Sequence, residues 1–237
     1  MDFEKYTDRA RSIVQAAQGL EVAQTPNGGT LEKIHDALLN AENPLVVVGP
    51  DVRNSGGTRE LLDLVENYAL PVAVGFFDYG GFPMQHPNYV GPIDGMSDKG
   101  YDVVCCIGYR QNTHASAEDE KFTDAGMIIG IGQDPAMLGN TFALDLDVLG
   151  DVNHTLRALN ALWKPDHANL AHIQKRKMGL GEQSAARLAK QSDGSLSHAK
   201  DNPIHPMYLG DAMARNLASN SVVVSENFRA FDHLMPF

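Results

Sequence analysis

The sequence has few cysteines, and the two that it contains are neighbours, Cys105 and Cys106. Adjacent residues of a strand point to opposite faces, so these thiols are poorly placed to form a disulfide or to bind one metal ion together. The apolar residues on either side predict that both cysteines are small core residues of a buried strand. The pair gives no sign of a disulfide framework and indicates a reducing compartment.

Basic residues and long apolar segments are scarce as well. Lys and Arg number 19 against 30 Asp and Glu, which gives a formal net charge of -11 and a pI near 5.1. Such a surface repels phosphates, which argues against nonspecific binding to nucleic acid or to anionic membranes. No apolar run approaches the roughly 20 residues that span a bilayer. Charges are scattered through the N-terminal residues, so we expect no signal peptide and a cytoplasmic location.

What the chain does contain is a set of short apolar runs that end in glycine. They lie at 44–49, 71–75, 103–108, 127–132 and 144–150, and helical patterns separate some of them. Short continuous apolar strands with helices between them are typical of a parallel sheet that is buried on both faces. We therefore predict an α/β fold, a doubly wound and mostly parallel Rossmann-like sheet with helices on both faces.

Composition divides the 237 residues into four segments. Residues 1–29 are predicted to form an N-terminal helix and a linker, and residues 30–163 hold the α/β domain, whose last helix begins after an N-cap at Asp151. Residues 164–202 form a polar helical or flexible connector, in which the basic residues 175–177 are expected to be a solvated helix face. Residues 203–237 begin a second α/β unit, with a helix at 207–217 and a strand at 222–224.

Sequence signatures of metal enzymes and hydrolases do not occur. There is no HExxH motif and no Gly-x-Ser-x-Gly elbow, and the nearest pair of histidines, His167 and His172, does not share a helix face. We expect no metal site within the chain. The loop 49–57 joins a strand to a helix, where backbone N–H groups can receive a phosphate. It fits neither the dinucleotide fingerprint nor the P-loop, so an ordinary tight turn is the alternative.

Several short motifs follow one another between about residues 31 and 163, and their order and spacing resemble a known family. That family is the central domain of thiamine-diphosphate-dependent enzymes of the acetolactate synthase and benzoylformate decarboxylase group. The motifs are Asn43-Pro44 and Gly49, Ser55-Gly56, Pro71-Val72, His86-Pro87-Asn88-Tyr89-Val90-Gly91, Tyr101-Asp102-Val103-Val104, Ile107-Gly108-Tyr109-Arg110, Gly132-Gln133-Asp134-Pro135 and Gly150-Asp151-Val152. Ile204-His205-Pro206 and Val222-Val223-Val224-Ser225-Glu226 similarly resemble the opening of the family's diphosphate-binding domain.

The resemblance implies thiamine diphosphate and Mg²⁺ as cofactors and 2-oxo acids as substrates. In this family the loop after the opening strand of the last domain lines the cofactor site, which makes Ser225, Glu226 and Asn227 candidate cofactor-binding residues. Some relatives bind FAD or a nucleotide at the central domain, which makes Arg53, Asn54 and Ser55 a second set of candidates, for FAD or ADP.

The family's activating glutamate domain and its Gly-Asp-Gly metal motif do not occur in these residues. Both are needed for the chemistry, the carboxylate to form the ylid and the metal ion to hold the diphosphate. We therefore expect a central-domain fragment or split subunit that supports the cofactor site and is inactive alone. It would act as a homo-oligomer or with a partner chain that carries the missing domains, without nucleic-acid or membrane partners.

Two alternatives stay open at this stage. The first is a free-standing Rossmann-like module that binds a nucleotide or a flavin. The second is a non-catalytic interaction protein, whose mark would be an apolar surface around 228–237 that is buried only against a partner.

Overall fold

The computed structural model of the chain describes residues 26, 28–75, 81–93, 96, 100–109, 122, 124–136, 138–139, 143–218 and 220–224. Strands and helices are mixed as far as residue 162, and helices alone follow. The strands are β1 (Pro44–Val48), β2 (Val72–Val74), β3 (Tyr89–Pro92), β4 (Val103–Ile107), β5 (Met127–Gly132) and β6 (Leu146–Leu149). The helices are α1 (Gly28–Asn40), α2 (Pro50–Asn54), α3 (Thr58–Asn67), α4 (Val152–Leu162), α5 (Ala171–Ser197) and α6 (Pro206–Asn216), with a 3-10 helix at Pro165–Asn169.

The six strands form one sheet in the order β3-β2-β1-β4-β5-β6, and each described pair of neighbours is parallel. Pro44 of β1 lies opposite Val103 of β4, and Val48 lies opposite Ile107, so the two central strands begin and end at the same level. Both strands are buried along their whole length, which explains why their sequences are continuously apolar. The predicted parallel α/β sheet is confirmed.

The side chains of the central strands alternate between two apolar layers. The first layer contains Val46 and Val48 together with apolar residues of α1, α3 and α4. The second contains Leu45 and Val47, and the residues packed on it come from segments between strands: Ile93, Met96, Tyr101, Tyr109 and Phe122. Because the core is made of residues that alternate along each strand, a shift of one residue would exchange the two layers.

The adjacent cysteines follow the same alternation. Cys105 lies in the first layer and Cys106 in the second, and both thiols are free and buried. Burial raises the pKa of the Cys105 thiol to about 12, because the thiolate loses its hydration in the apolar core. The prediction that these residues are small core side chains on opposite faces is confirmed.

The last helix of the sheet domain begins as predicted. The Asp151 carboxylate accepts a hydrogen bond from the His154 backbone N–H at 2.8 Å, and the Thr155 hydroxyl donates to the Asp151 carbonyl oxygen at 2.8 Å. An acidic N-cap satisfies an amide that the helix leaves without a partner and lies at the positive end of the helix dipole. The prediction that Asp151 caps α4 is confirmed.

Two segments that lacked a strand or helix signature are nevertheless regular. Residues Tyr89–Pro92 form β3, an edge strand whose pairing with β2 is irregular, and Gly91 adopts φ +131° within it. A glycine and a proline weaken the strand signature, and both are tolerated at the edge of a sheet. The segment Pro50–Asn54, which was predicted to be a turn, is the short helix α2, with Pro50 at its first position.

The strand predicted at 222–224 is not formed, so this prediction is wrong. Val222 and Val224 have exposed fractions of 85% and 87%, and these residues have no regular secondary structure. A strand needs a neighbour to bind its backbone N–H and C=O groups, and the described part of the chain places none beside it. The predicted N-terminal helix and the apolar stretch 228–237 lie outside the described residues.

Candidate functional site

The strand order reverses between β1 and β4, and in open α/β sheets this is where ligands usually bind, beyond the carboxyl ends of the strands. Here the two loops that follow β1 and β4 are in direct contact. A Cβ atom added to Gly49 would lie 2.3 Å from the Gly108 carbonyl oxygen and 2.2 Å from the Tyr109 Cα atom. Gly108 itself adopts φ +58°. The glycines therefore allow the two loops to close over the ends of the central strands.

The backbone donors at the start of α2 are already bonded to protein carbonyls. The Gly49 N–H donates to the Ile107 oxygen, the Asp51 N–H to the Gly108 oxygen and the Val52 N–H to the Gly49 oxygen, while a proline at position 50 has no N–H. The carboxylate-bearing Asp51 is buried at this end of α2 and would repel a phosphate. These contacts between protein groups account for the conformation of the first turn of α2.

The predicted cofactor residues on α2 are placed side by side at its end. Arg53 and Asn54 are exposed, and Ser55 is the C-cap of the helix, with its hydroxyl donating to the Val52 carbonyl oxygen at 3.1 Å. The side chain of Asn153 donates to the Ser55 carbonyl oxygen at 3.2 Å and ties this turn to α4. The structure thus brings the three residues together on the surface, and their role in binding FAD or ADP stays a prediction.

At the opposite, amino-terminal edge of the sheet, a carboxylate fastens two motif segments together. Asp102 accepts the Glu42 N–H at 2.5 Å and the Asn43 N–H at 3.1 Å through its two carboxylate oxygens. The Asn43 side chain returns a bond to the Gly100 carbonyl oxygen at 2.9 Å. The Asn-Pro and Tyr-Asp motifs before β1 and β4 are therefore explained as a mutual clamp that aligns the starts of the two strands.

A second motif residue has a comparable structural role. Asn88 is buried, and its amide donates to the carbonyl oxygens of Val65 at 2.9 Å and Leu70 at 2.8 Å. These carbonyls lie at the end of α3 and in the turn that enters β2. The amide satisfies two buried acceptors and holds the loop before β3 against α3.

Helix α5 is docked on the sheet domain by a guanidinium group. Arg176 donates to three backbone carbonyls, those of Ala41, Tyr68 and Ala69. Ala41 follows α1, and the other two follow α3, so one side chain satisfies carbonyl groups at the ends of two helices. Burial lowers the pKa of Arg176, and the negative charge of Asp102 opposes that effect.

This contact corrects the prediction that residues 175–177 form a solvated face. Lys175 and Lys177 are exposed, but Arg176 between them is partly buried and bonded to the domain. Ile173 and Leu180 of the same helix are buried against Ala69. The spacing 173, 176, 180 is the helical stripe that could have revealed this docked face, although its central member is charged.

Between α5 and the amino ends of the strands lies a cavity of about 620 Å³. Its apolar walls come from strand starts, from Val90, Met96 and Tyr101 and from α5, and its polar groups come mostly from α5. Its lining includes Glu42, Tyr101, His172, Lys175, Arg176 and Gly179. No local sequence pattern predicts this site, because the cavity exists only where α5 meets the sheet.

A cluster of titratable and aromatic side chains joins α1, the end of α3 and the 3-10 helix that precedes α5. The Nδ1 atom of His35 is 2.5 Å from the Tyr68 hydroxyl, and the His35 ring centroid is 5.3 Å from that of His167. Trp163 packs against both Tyr68 and His167, with centroid distances of 4.6 and 5.1 Å. Burial lowers the pKa of His35, and the nearby His167 lowers it further, whereas burial raises the pKa of Tyr68. This cluster fixes the 3-10 helix to α1 and α3.

Among the described residues, no three His, Cys, Asp or Glu side chains come together in a way that could hold a cation. The predicted residues Ser225, Glu226 and Asn227 lie outside the described residues. No described helix is long and apolar enough to cross a membrane.

Comparison with known proteins gives a match over the sheet domain. The family model described as "Thiamine pyrophosphate enzyme, central domain" matches residues 31–159, more than half of the chain. A Methanocaldococcus jannaschii protein assigned as an acetolactate synthase large subunit is 30% identical over 55% of this chain and 23% of its own length. The acetolactate synthase isozyme 3 large subunit of Escherichia coli is 24% identical over 61% of this chain and 26% of its own length.

A solved structure extends the similarity of the fold. The thiamine diphosphate-dependent 4-hydroxybenzoylformate decarboxylase of Rhodococcus jostii aligns with 90% of this chain and 39% of its own, with a TM-score of 0.63 and 16% sequence identity. The chain spans about a quarter of the length of the curated relatives described above.

Proposed function

The chain belongs to the thiamine pyrophosphate enzyme family, of which it carries the central domain, and we propose that it serves as that domain in an enzyme acting on 2-oxo acids. The observation that carries the proposal is that the family match, 31–159, covers the parallel sheet from β1 to β6 and most of helix α4. In this role the domain supports the cofactor site of its neighbours and does not itself carry the reacting groups.

The geometry of the motif residues supports a structural role. Asp102, Asn88 and Gly49 each fix a strand start, a helix end or a close loop contact, and none of them points a reactive group into the cavity. Catalysis needs reacting groups within hydrogen-bond reach of a bound substrate. We therefore assign the chemistry to domains that complete this one, in the same polypeptide or in a partner chain.

The proposed division of the chain follows from these elements. Residues 1–29 precede the domain, 30–163 form it, 164–202 connect it onward, and 203–237 begin the diphosphate-binding domain. The exposed Val222, Val223 and Val224 support the last assignment, because an apolar triplet of this kind is suited to enter a sheet that other residues supply. Ser225, Glu226 and Asn227 come directly after this triplet in the sequence and would contribute to the cofactor site.

The thiamine diphosphate and Mg²⁺ site is not completed by this set of residues. The described part contains no suitable cluster of metal ligands, and the sequence has no Gly-Asp-Gly motif. We accordingly expect no turnover by these 237 residues alone, and we derive no catalytic step from them.

The test is a reconstitution experiment with pyruvate as substrate. The purified chain is assayed alone and mixed with a chain that carries the pyrimidine-binding and diphosphate-binding domains, with thiamine diphosphate and Mg²⁺ present. We expect carbon dioxide release only in the mixture, and only when the two chains elute together in size-exclusion chromatography. The same mixture without this chain is the control. Turnover by the chain alone, or a stable complex without turnover on any 2-oxo acid, would contradict the proposal.

A free-standing nucleotide- or flavin-binding module is the second candidate function. The strand order, with its reversal between β1 and β4, favours it, since dinucleotides bind at such a point in Rossmann folds. The closed contact between Gly49 and Gly108 argues against it. Isothermal titration of the chain with FAD, ADP and NAD separates the two functions: micromolar binding would favour the module, and its absence would favour the central-domain role.

A further inference from the structure

The cavity between α5 and the amino edge of the sheet is separate from the place where ligands bind in most α/β proteins. It lies at the starts of β1, β2 and β4, next to Pro44, Pro71 and Tyr101, whereas the switch point lies at the other ends of the strands. Its volume of about 620 Å³ falls within the range of roughly 300–1,000 Å³ that small-molecule pockets occupy. The cavity and the switch point therefore lie at opposite edges of the sheet.

One part of the cavity wall is apolar. Leu45 and Tyr101 belong to the second apolar layer of the sheet, and Val90 and Leu180 line the side formed by β3 and α5. The Tyr101 hydroxyl donates to the Met96 sulfur at 3.6 Å, a weak acceptor. Such a wall can accept an apolar body of a ligand, because burying apolar surface is favourable in proportion to its area.

The other part of the wall is cationic, which is unusual in a chain with a net charge of -11. Lys175 and Arg176 both line the cavity, against a single carboxylate from Glu42. Among the described residues neither cation forms an ion pair with a carboxylate. The hydrogen-bond partners of Arg176 are neutral carbonyl oxygens, and the negative charge of Asp102, which does not line the cavity, acts on its guanidinium group. Lys175 is therefore the cation of this wall that the carboxylate of a ligand can meet.

A glycine keeps the α5 side of the cavity open. Gly179 lines it, and a Cβ atom added there would meet no heavy atom within 4 Å. Glycine inside a helix costs about 1 kcal/mol relative to alanine, so the open space is not a requirement of the helix itself. Gly181, two residues further on, is also in open space but does not line the cavity. Substitutions at Gly179 and Gly181 can therefore be compared directly, because only the first would enter the cavity.

From this combination we propose that the cavity binds a small organic anion, with a carboxylate at Lys175 and an apolar body against Tyr101 and Leu180. Both features are needed, because a simple inorganic anion gains nothing from the apolar wall and a neutral apolar molecule gains nothing from the cations. The proposal does not depend on the role of the chain in a thiamine enzyme.

The first test compares three probes by isothermal titration on the full 237-residue chain. The probe 4-phenylbutyrate has an apolar body and a carboxylate, 4-phenylbutan-1-ol has the body alone, and inorganic phosphate has the charge alone. We expect 4-phenylbutyrate to bind with a Kd of roughly 0.1–1 mM, the range for a ligand of this size. The alcohol should bind at least about fivefold more weakly, and phosphate should show no saturable binding below about 10 mM. Equal binding of the acid and the alcohol, or no binding of the acid, overturns the proposal.

Matched variants of α5 then locate the site. Gly179→Leu should abolish binding of 4-phenylbutyrate by filling the cavity, whereas Gly181→Leu should leave the Kd within about twofold. Lys175→Gln should raise the Kd about fivefold, and Lys177→Gln should not. Far-ultraviolet circular dichroism confirms that each variant is folded. Unchanged binding in folded Gly179→Leu, or equal effects of the two lysine variants, shows that the ligand binds elsewhere and overturns the assignment.

Discussion

Replacing Arg176 by methionine tests whether α5 is a docked part of the domain or a solvated connector. The change removes the guanidinium group and keeps most of the aliphatic stem. It leaves the carbonyl oxygens of Ala41, Tyr68 and Ala69 without their donors at the ends of α1 and α3. We expect the variant to be folded but less stable, with the loss concentrated in the attachment of α5.

The size of the effect follows from the number of bonds. A hydrogen bond to a charged group contributes roughly 1.5–3 kcal/mol when it is buried. Arg176 is only partly buried, and water can reach the carbonyls once α5 moves, so we take about 1 kcal/mol for each of the three. The expected loss in the free energy of unfolding is about 3 kcal/mol. It has an upper bound, because it cannot exceed the free energy with which α5 docks.

Urea unfolding provides the measurement, with circular dichroism and tryptophan fluorescence as two probes. Trp163 is the only tryptophan of the chain and packs on Tyr68, 4.6 Å away, close to the start of α5. If α5 detaches first, the fluorescence transition should move to lower urea than the circular dichroism transition. Amide hydrogen exchange in α5 should increase in the same variant.

Two further substitutions serve as controls for this result. Lys177→Met removes an exposed charge next to Arg176 and should change the stability by less than about 0.5 kcal/mol. Arg176→Lys keeps the charge but lacks the forked geometry that reaches three acceptors, and it should fall between the wild type and Arg176→Met. The reasoning is refuted if Arg176→Met and Lys177→Met have the same stability.

Three other predictions concern the core, a close loop contact and a helix cap. Burial and the nearby His167 lower the pKa of His35 from 6.5, so the unfolded state binds the proton more tightly than the folded state. The free energy of unfolding should therefore decrease as the pH falls below 6.5 toward the lowered pKa. Urea unfolding at pH 5 to 8 should show a smaller decrease in His35→Gln than in the wild type. Equal pH dependence of the two proteins would contradict this. Gly49→Ala should lower the free energy of unfolding by at least about 2 kcal/mol, because its Cβ would overlap backbone atoms of the neighbouring loop. Gly181→Ala, in open space on α5, should raise the free energy of unfolding by up to about 1 kcal/mol. An unchanged stability of Gly49→Ala would show that the two loops are not in close contact. Asp151→Ala should cost about 1 kcal/mol by removing the N-cap acceptor, and thermal unfolding that is unchanged would disprove that role.

Much of the sheet was predictable because its signal is local. A strand buried on both faces must be continuously apolar, and a glycine at its end permits the tight turn that follows. Five of the six strands could therefore be recognised from runs of five to seven residues, although β6 is only partly buried. The N-cap at Asp151 depends on residues three and four positions away. The adjacent cysteines needed only the alternation of a strand. The family resemblance depended on the same segments, because its motifs mark where these strands begin and end.

The candidate sites were harder to predict, since they depend on segments that are far apart in the chain. The edge strand β3 has an irregular partner contact and contains glycine and proline, so only the neighbouring β2 makes it a strand. The triplet 222–224 has the opposite property: its residues suit a strand, but the described chain supplies no neighbour. Whether a segment forms a strand therefore depends on a pairing partner, even where its own residues favour the other outcome.

The sequence by itself determined the parallel core, the direction of its side chains and the family to which it belongs, because burial on two faces imposes a continuous apolar pattern on the central strands. Only the tertiary structure decided that Arg176 is a docking residue and not a solvated one, because its acceptors lie 107, 108 and 135 positions away in the chain. The same docking creates the cavity beneath α5. Its cations and its apolar wall belong to different segments, and they share a surface only when the helix packs across the starts of the strands.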